Sequence, residues 1–135
     1  MGVGVLRAVG VATAVYGVAV AAWPTLLARP SGLVDGEGEV AEATGISLRP
    51  LAWRDAASGV AMAVAPEGEA LRTAALLRVA ADFGDALLLG ATLPDRDKRM
   101  KAVAVSVGWG ALSVLGLYAD AGRGRRGKRE RRRLR

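Results

Sequence analysis

The sequence contains no cysteine and no histidine. Without cysteine the chain can form no disulfide framework and can perform no thiol chemistry. Without histidine it lacks the commonest metal ligand and the commonest general base. These two absences exclude a zinc site and a histidine-based catalytic triad, and we expect neither a metal centre nor a cofactor.

Net charge is also scarce until the end of the chain. Residues 123–135, with the sequence RGRRGKRERRRLR, hold nine Arg or Lys and one Glu, a net charge of +8. Because the whole chain carries +6, residues 1–122 together carry only −2. The first 122 residues are therefore more apolar than the overall hydrophobic content of 52% indicates.

Two long runs have no charged residue at all. Residues 8–28 form an uncharged run of 21, and residues 102–119 form one of 18. About 20 residues of helix, at roughly 1.5 Å each, cross a hydrocarbon core of about 30 Å, so runs of about 18 or more are candidate membrane spans. Each of these two runs therefore predicts a transmembrane helix.

Two further apolar stretches, residues 46–65 and 70–93, have the length of a span but contain charges. The charges are Arg49, Arg54 and Asp55 in the first stretch and Arg72, Arg78, Asp82 and Asp85 in the second. Leaving out Arg72, three arginines balance three aspartates. The sequence PEGE at residues 66–69 indicates a tight turn, as between two antiparallel helices. Intramembrane charges are costly and should face a partner, water or a substrate.

We therefore predict an all-α protein: a four-transmembrane-helix up-down bundle with a disordered basic C-terminal tail. The transmembrane domain is residues 1–121, with spans at about residues 6–28, 46–65, 70–93 and 102–120. The basic cytoplasmic tail is residues 122–135. The alternatives are two spans with an interfacial or soluble helical hairpin, and a wholly soluble bundle.

The cationic residues predict the orientation. The nine tail cations should remain cytoplasmic, which with four spans puts the N-terminus there too. The protein is then a multi-pass protein of the inner (plasma) membrane, although the basic loop at residues 94–101 opposes this orientation. Residues 19–21, Ala-Val-Ala, could mark a signal-peptide cleavage site, but the apolar run continues through Leu27, which fits an uncleaved anchor better.

The charges of the two middle stretches should meet. Arg78, Asp82 and Asp85 are spaced by four and three residues and form one stripe on a helix. Arg54 and Asp55 lie at a similar distance from the turn at residues 66–69. We expect cross-helix pairs, either Arg54 with Asp82 or Asp85, or Asp55 with Arg78. Arg49 and Arg72 should lie nearer the helix ends.

This predicted network supports two hypotheses about function. One is a non-enzymatic accessory or structural protein, or one that handles protons or a small solute, organised by a buried Arg/Asp network. The other is a membrane enzyme acting on a lipophilic substrate, such as an isomerase or an epoxide-opening enzyme, with Asp82, Asp85 or Asp55 as general acid. Two carboxylates one turn apart repel, so one would keep a proton unless an arginine holds both. No motif in the sequence defines a reaction.

Two short segments carry a resemblance to a known family. WRDAASG at residues 53–59 and ADFGDALLLG at residues 81–90 resemble signatures of small bacterial four-helix membrane proteins of unknown function with a DoxX-like layout. The matched positions are Arg54, Asp55 and Gly59 in the second helix, Asp85, Ala86 and Leu87 in the third, and Ala28, Arg29, Pro30 and Gly32 in the turn after the first. The resemblance implies four helices and no established activity.

The basic tail predicts a partner. Cations beside a span attract anionic lipid headgroups, at about 1 kcal/mol for each residue near the surface. We expect this contact from Arg123, Arg125, Arg126, Lys128, Arg129, Arg131, Arg132, Arg133 and Arg135. Binding of nucleic acid or of a protein is the alternative for the tail, nucleic acid being the less favoured. The spans themselves leave open a homo-oligomer or a membrane partner protein.

Overall fold

The computed structural model describes the backbone of residues 2–93 and 95–133, and the side chains of residues 2–93 and 95–119. The described chain is helical and contains no strand, which confirms the all-α prediction. Its helices are α1 (Gly2–Ala22), α2 (Thr25–Ala28), α3 (Glu42–Val64), α4 (Glu69–Thr92) and α5 (Arg96–Arg133).

The first apolar run is divided into two helices. We predicted one span at residues 6–28, but α1 ends at Ala22 and the short α2 follows Pro24. Proline lacks an N–H group and cannot continue a helix from within, so the break falls there. After α2, Gly32 adopts a φ of +68°, and the Leu33 N–H donates to the carbonyl oxygen of Ala28 over 2.8 Å. This left-handed glycine closes the helix end.

Helices α3 and α4 follow the predicted hairpin. The turn predicted at residues 66–69 lies between Val64, the last residue of α3, and Glu69, the first of α4. Gly68 in this turn has a φ of +103°, a conformation that favours glycine. Helix α3 begins at Glu42, four residues before the predicted start, so Pro50 lies inside the helix and does not begin it.

The last helix is longer than predicted. The backbone of α5 remains helical through Arg133, so the prediction of a disordered tail from residue 122 is wrong as far as that residue. Arg, Lys and Glu are good helix formers, and adding turns to an existing helix avoids the cost of nucleation. The final two residues lie outside the described part of the chain.

The packing order of the helices differs from their order in the chain. The most extensive contacts join α1 to α3 and α4 to α5, with α1 also packing on α5. The hairpin partners α3 and α4 touch each other least among these pairs. Leu6 and Val9 of α1, Met62 of α3, and Leu71 and Ala75 of α4 form the buried apolar cluster.

Close backbone contact holds α1 against α3. A Cβ atom added to Gly17 would lie 2.5 Å from the backbone nitrogen of Ala56, and one added to Gly59 would collide with Ala14. Such approaches need small residues at the interface. By contrast, a Cβ added at Gly84 of α4 would meet nothing within 4 Å.

Among the described residues, two helices are long and apolar enough to cross a membrane, Gly2–Ala22 and Arg96–Ala119. We predicted four such spans. Helices α3 and α4 have the length, at 23 and 24 residues, but their apolar stretches contain the charges noted above. By length and composition alone, the chain therefore contains two candidate spans.

Candidate functional site

Five charged side chains form one connected network across the facing sides of α3 and α4. We call Arg54, Asp55, Arg78, Asp82 and Asp85 the charge network. Its ion pairs run in the order Asp82, Arg78, Asp55, Arg54, Asp85, so the charge alternates in sign along the series. Both predicted kinds of cross-helix contact, Arg54 with an aspartate of α4 and Asp55 with Arg78, are present.

One end of the network is a bidentate ion pair between Arg54 and Asp85. Arg54 donates from Nη1 to Asp85 Oδ1 over 3.1 Å and from Nη2 to Asp85 Oδ2 over 2.6 Å. This geometry matches the planar guanidinium to both oxygens of the carboxylate. Arg54 Nη2 also donates to Oδ1 of its neighbour Asp55 over 3.0 Å. Arg54 therefore ties α3 to α4 and neutralises Asp85, the aspartate farthest along α4.

The other end is held by Arg78. Its Nε donates to Asp82 Oδ2 over 3.0 Å, and its Nη2 donates to Asp82 Oδ1. Its Nη1 lies 2.7 Å from Asp55 Oδ1 and donates to Ser58 Oγ over 3.4 Å. Asp82 is thus paired within its own helix, one turn from Arg78, and not with Arg54. Arg78 forms the second tie between α4 and α3.

The two ends differ in their exposure. Arg78 is 4% exposed and Asp82 is 2% exposed, whereas the side chain of Arg54 is 40% exposed. The prediction that all five charges are buried therefore holds for Arg78 and Asp82 alone: the side chains of Asp55 and Asp85 are 21% and 19% exposed, and Arg54 is exposed. The loose contact between α3 and α4 leaves room for this exposure.

The predicted balance of three arginines and three aspartates does not hold for the network. Arg49 is exposed and lines a separate cleft with Pro24 and Glu42, and it forms no ion pair with the described residues. Arg72 is also exposed, as expected of a residue near a helix end. The network therefore contains two arginines and three aspartates, a formal charge of −1.

A cavity of about 70 Å³ adjoins the network. Its walls come from four helices: Thr13 and Tyr16 of α1, Asp55 of α3, Arg78, Asp82 and Asp85 of α4, and Ser106 and Trp109 of α5. A single water needs roughly 10–15 Å³ on this measure, so the cavity has room for a few waters. Pockets for organic ligands are far larger, about 300–1,000 Å³.

Sequence reasoning missed two residues of this region. Thr13 is 3% exposed and its Oγ1 has no hydrogen-bond partner among the described residues, although the side chain lines the cavity. Arg7, near the start of α1, donates to the carbonyl oxygens of Ala63 and Ala65 over 2.5 and 3.2 Å. A cation is favoured at a helix C-terminus. A hydroxyl in a long apolar run was the available signal for Thr13.

Three further points concern the residues that were predicted to bind lipid, to act as general acids or to hold no metal. The nine tail cations lie outside the residues whose side chains are described. Within the described part, no group of three or more Asp or Glu is arranged to hold a metal ion. The aspartates proposed as general acids all accept from arginine.

No protein-family model, curated protein or solved structure matches this chain. The resemblance to the DoxX-like family therefore stays a prediction, and the function has to be argued from the site itself.

Proposed function

We propose that this chain is a four-span integral membrane protein organised by its charge network. Apolar side chains point outward from all four long helices, including the charged α3 and α4. The exposed ones include Val11 and Val15 of α1, Trp53 and Val60 of α3, Leu77 and Leu87 of α4, and Leu112 and Leu115 of α5. An outer surface of this kind is suited to lipid and unfavourable in water. At about 1.5 Å per residue, α3 and α4 reach about 35 Å, enough to span.

The ion pairs make spanning by α3 and α4 energetically acceptable. A lone charge in a bilayer is expensive, whereas a paired one is tolerated. Arg78 and Asp82 are both buried and paired with each other. The exposed part of Arg54 belongs to a side chain whose guanidinium is held by two carboxylates.

The connections support an alternating arrangement of spans. Arg7, near the start of α1, caps the end of α3, so the N-terminus and the turn at residues 66–68 share one end. At the other end, Gly32 lies against the side chain of Lys98, which brings the first loop beside the start of α5. We place the first of these ends in the cytoplasm, together with the basic tail and its anionic-lipid partners.

The protein's role, in this proposal, is non-enzymatic: an accessory or structural protein that handles at most protons or a small solute. One observation carries this choice, namely that the network's carboxylates are engaged by arginine around a cavity of about 70 Å³. A lipophilic substrate would not fit, and the proposed general acids already serve as ion-pair partners. This argues against the alternative of an isomerase or an epoxide-opening enzyme.

The absence of cysteine makes the topology directly testable. Single cysteines at Gly36, in the first loop, and at Glu67, in the turn between α3 and α4, can be labelled with a membrane-impermeant maleimide in intact cells. We expect labelling at Gly36→Cys from outside, and labelling at Glu67→Cys only after the membrane is permeabilised. Labelling of both positions from the same side would contradict the four-span arrangement.

The non-enzymatic role is tested with Asp85→Asn, measured for folding in detergent and for the lipid profile of the producing cells. We expect destabilisation, and the same lipid species whether cells produce the native protein, the variant or none. Arg49→Leu, which changes an arginine outside the network, is the control for folding. A lipid species that vanishes with a normally folded Asp85→Asn protein would instead establish the enzyme.

A further inference from the structure

The network has one carboxylate more than it has arginines. Arg54 and Arg78 face Asp55, Asp82 and Asp85, which leaves a formal charge of −1. No other charged side chain is among the residues that line the cavity. Charges removed from water are paired or coordinate an ion, because an isolated one is very costly. The excess negative charge therefore calls for a compensating positive charge.

Asp55 is where the excess is accessible. Asp82 and Asp85 each use both carboxylate oxygens in hydrogen bonds to a single arginine. All the hydrogen bonds that Asp55 accepts from described residues end on Oδ1. Its Oδ2 accepts none, and the side chain lines the cavity. Asp55 Oδ2, in the middle of the network, is thus available to bind a ligand.

Thr13 provides an independent indication that the cavity holds a ligand. Its side chain lines the same cavity from α1, and its Oγ1 is buried without a partner among the described residues. A buried hydroxyl without a hydrogen bond loses its contacts with water and gains none in return, so such groups are almost always satisfied. In an α-helix a threonine commonly bonds a carbonyl of the preceding turn, and Thr13 does not. Thr13 Oγ1 and Asp55 Oδ2, neither of which has a hydrogen-bond partner among the described residues, therefore belong to residues that line one small cavity.

We propose that this cavity binds one monovalent cation with one or two waters, contacting Asp55 and Thr13. The cation is either an alkali ion or a proton taken up by the unengaged Oδ2 of Asp55, and in both cases it supplies the single positive charge that the network lacks. A divalent ion would overcompensate that charge, and it prefers several oxygen ligands, where the cavity offers one unengaged carboxylate oxygen. This inference rests on the proposed membrane fold and names the solute class for the same site.

The groups that face Asp55 limit the interpretation of any pH effect. They are Tyr16 from α1, Arg54 from its own helix, Arg78, Asp82 and Asp85 from α4, and the uncharged Ser106 and Trp109 from α5. Proton binding at this site must therefore be assigned by changing Asp55 itself, because the carboxyl groups of Asp82 and Asp85 line the same cavity.

The probe is the intrinsic fluorescence of Trp109, which lines the cavity. Trp23 and Trp53 are both exposed, and replacing them by phenylalanine leaves Trp109 as the one tryptophan of a three-tryptophan chain. The purified full chain in detergent is titrated with NaCl and KCl against choline chloride at constant ionic strength and pH. A second arm varies pH in choline chloride. Thermal unfolding is followed in both arms.

For an alkali ion, we expect a saturable fluorescence change and a higher melting temperature with Na⁺ or K⁺ but not with choline. For a proton, the change follows pH alone. Either response should be lost in Asp55→Asn. Thr13→Val should weaken binding by about tenfold, the effect of about 1.4 kcal/mol, while the protein remains folded. Ser113→Ala, which removes a buried hydroxyl bonded to the Trp109 carbonyl, is the control and should bind normally.

The proposal is overturned if neither arm gives a response, since the cavity then holds water alone. It is also overturned if the response persists in Asp55→Asn, or if Thr13→Val and Ser113→Ala behave alike. Should Asp55→Asn not fold, Thr13→Val alone decides. These outcomes are separate from the proposed fold, because a native protein that spans four times and unfolds cooperatively without a cation response would refute only the cation site.

Discussion

Helix α3 is held on two sides by different means. Against α1 it packs closely, with Gly17 and Gly59 allowing backbone to meet backbone. Against α4 it makes far less contact, and the ties there are Arg54 with Asp85 and Asp55 with Arg78. In lipid there is little hydrophobic drive to join helices, so close packing and polar ties are the means left. On the α1 side α3 depends mainly on close packing, and on the α4 side it depends mainly on ion pairs.

The two interfaces of α3 show that adjacency in the chain does not determine how closely two helices pack. The short turn forces α3 and α4 to be neighbours at one end, yet along their lengths they contact each other less than α1 and α3 do. The ion pairs between the two helices, whose residues lie 9 to 16 positions from the nearer end of that turn, hold the helices together where the turn no longer does. The glycine interface joins α1 and α3, which the first loop separates in sequence, and its close backbone contacts involve no ion pair among the described residues.

The largest effect should come from the buried end of the network. Arg78→Leu leaves Asp82 with no arginine and removes one of the two ties to α3. Breaking a buried pair by removing one partner costs about 3–5 kcal/mol. We therefore expect the variant to unfold at much lower SDS concentration in mixed micelles. If Arg78→Leu is as stable as the control Arg49→Leu, the ion pairs do not hold α3 and α4 together.

A smaller loss is expected on the glycine side. Gly17→Ala places a Cβ against the backbone of Ala56 and Ala52, and overpacking of this kind typically costs about 1–3 kcal/mol. Gly84→Ala is the matched control, because a Cβ there meets nothing within 4 Å. In a helix this control should be neutral or slightly stabilising. Equal stabilities of the two variants in SDS unfolding would show that α1 and α3 are not in close contact.

The smallest effect should come from the cap between α1 and α3. Arg7→Met retains an apolar stem but loses the hydrogen bonds to the carbonyl oxygens of Ala63 and Ala65. We expect a loss of about 0.3–1 kcal/mol in the free energy of unfolding, the usual contribution of a cation at a helix C-terminus. Arg29→Met, at an exposed arginine, should change nothing. Equal free energies of unfolding for the two variants would show that Arg7 does not stabilise the contact between α1 and α3.

Sequence patterns predicted the helices and much of the network. Periodic spacing put Arg78, Asp82 and Asp85 on one face, and the PEGE turn gave the depth at which Arg54 and Asp55 meet them. The pattern could not predict the pairing of Asp82, because an aspartate one turn from an arginine can bond it or cross to another helix. It also could not predict the exposure of Arg54, which depends on how loosely α3 and α4 pack.

The remaining differences have equally local causes. A proline can begin, bend or stop a helix, so Pro24 and Pro50 gave no unique boundaries. The helical backbone through Arg133 agrees with the helix propensity of the tail's Arg, Lys and Glu residues, whereas the prediction of disorder relied on the tail having almost nothing apolar to bury. The cavity and the isolated hydroxyl of Thr13 depend on the packing of four helices, which no single segment of sequence specifies.

The central claim is that Arg54 and Asp85 tie α3 to α4. It is tested most directly by a double-mutant cycle of Arg54→Leu, Asp85→Asn and the combined variant, measured by SDS unfolding in mixed micelles. Because Arg54 is 40% exposed, we predict a modest favourable coupling of about 1 kcal/mol, so that the double variant loses less stability than the two single losses combined. Additive losses, with no coupling, would contradict the account.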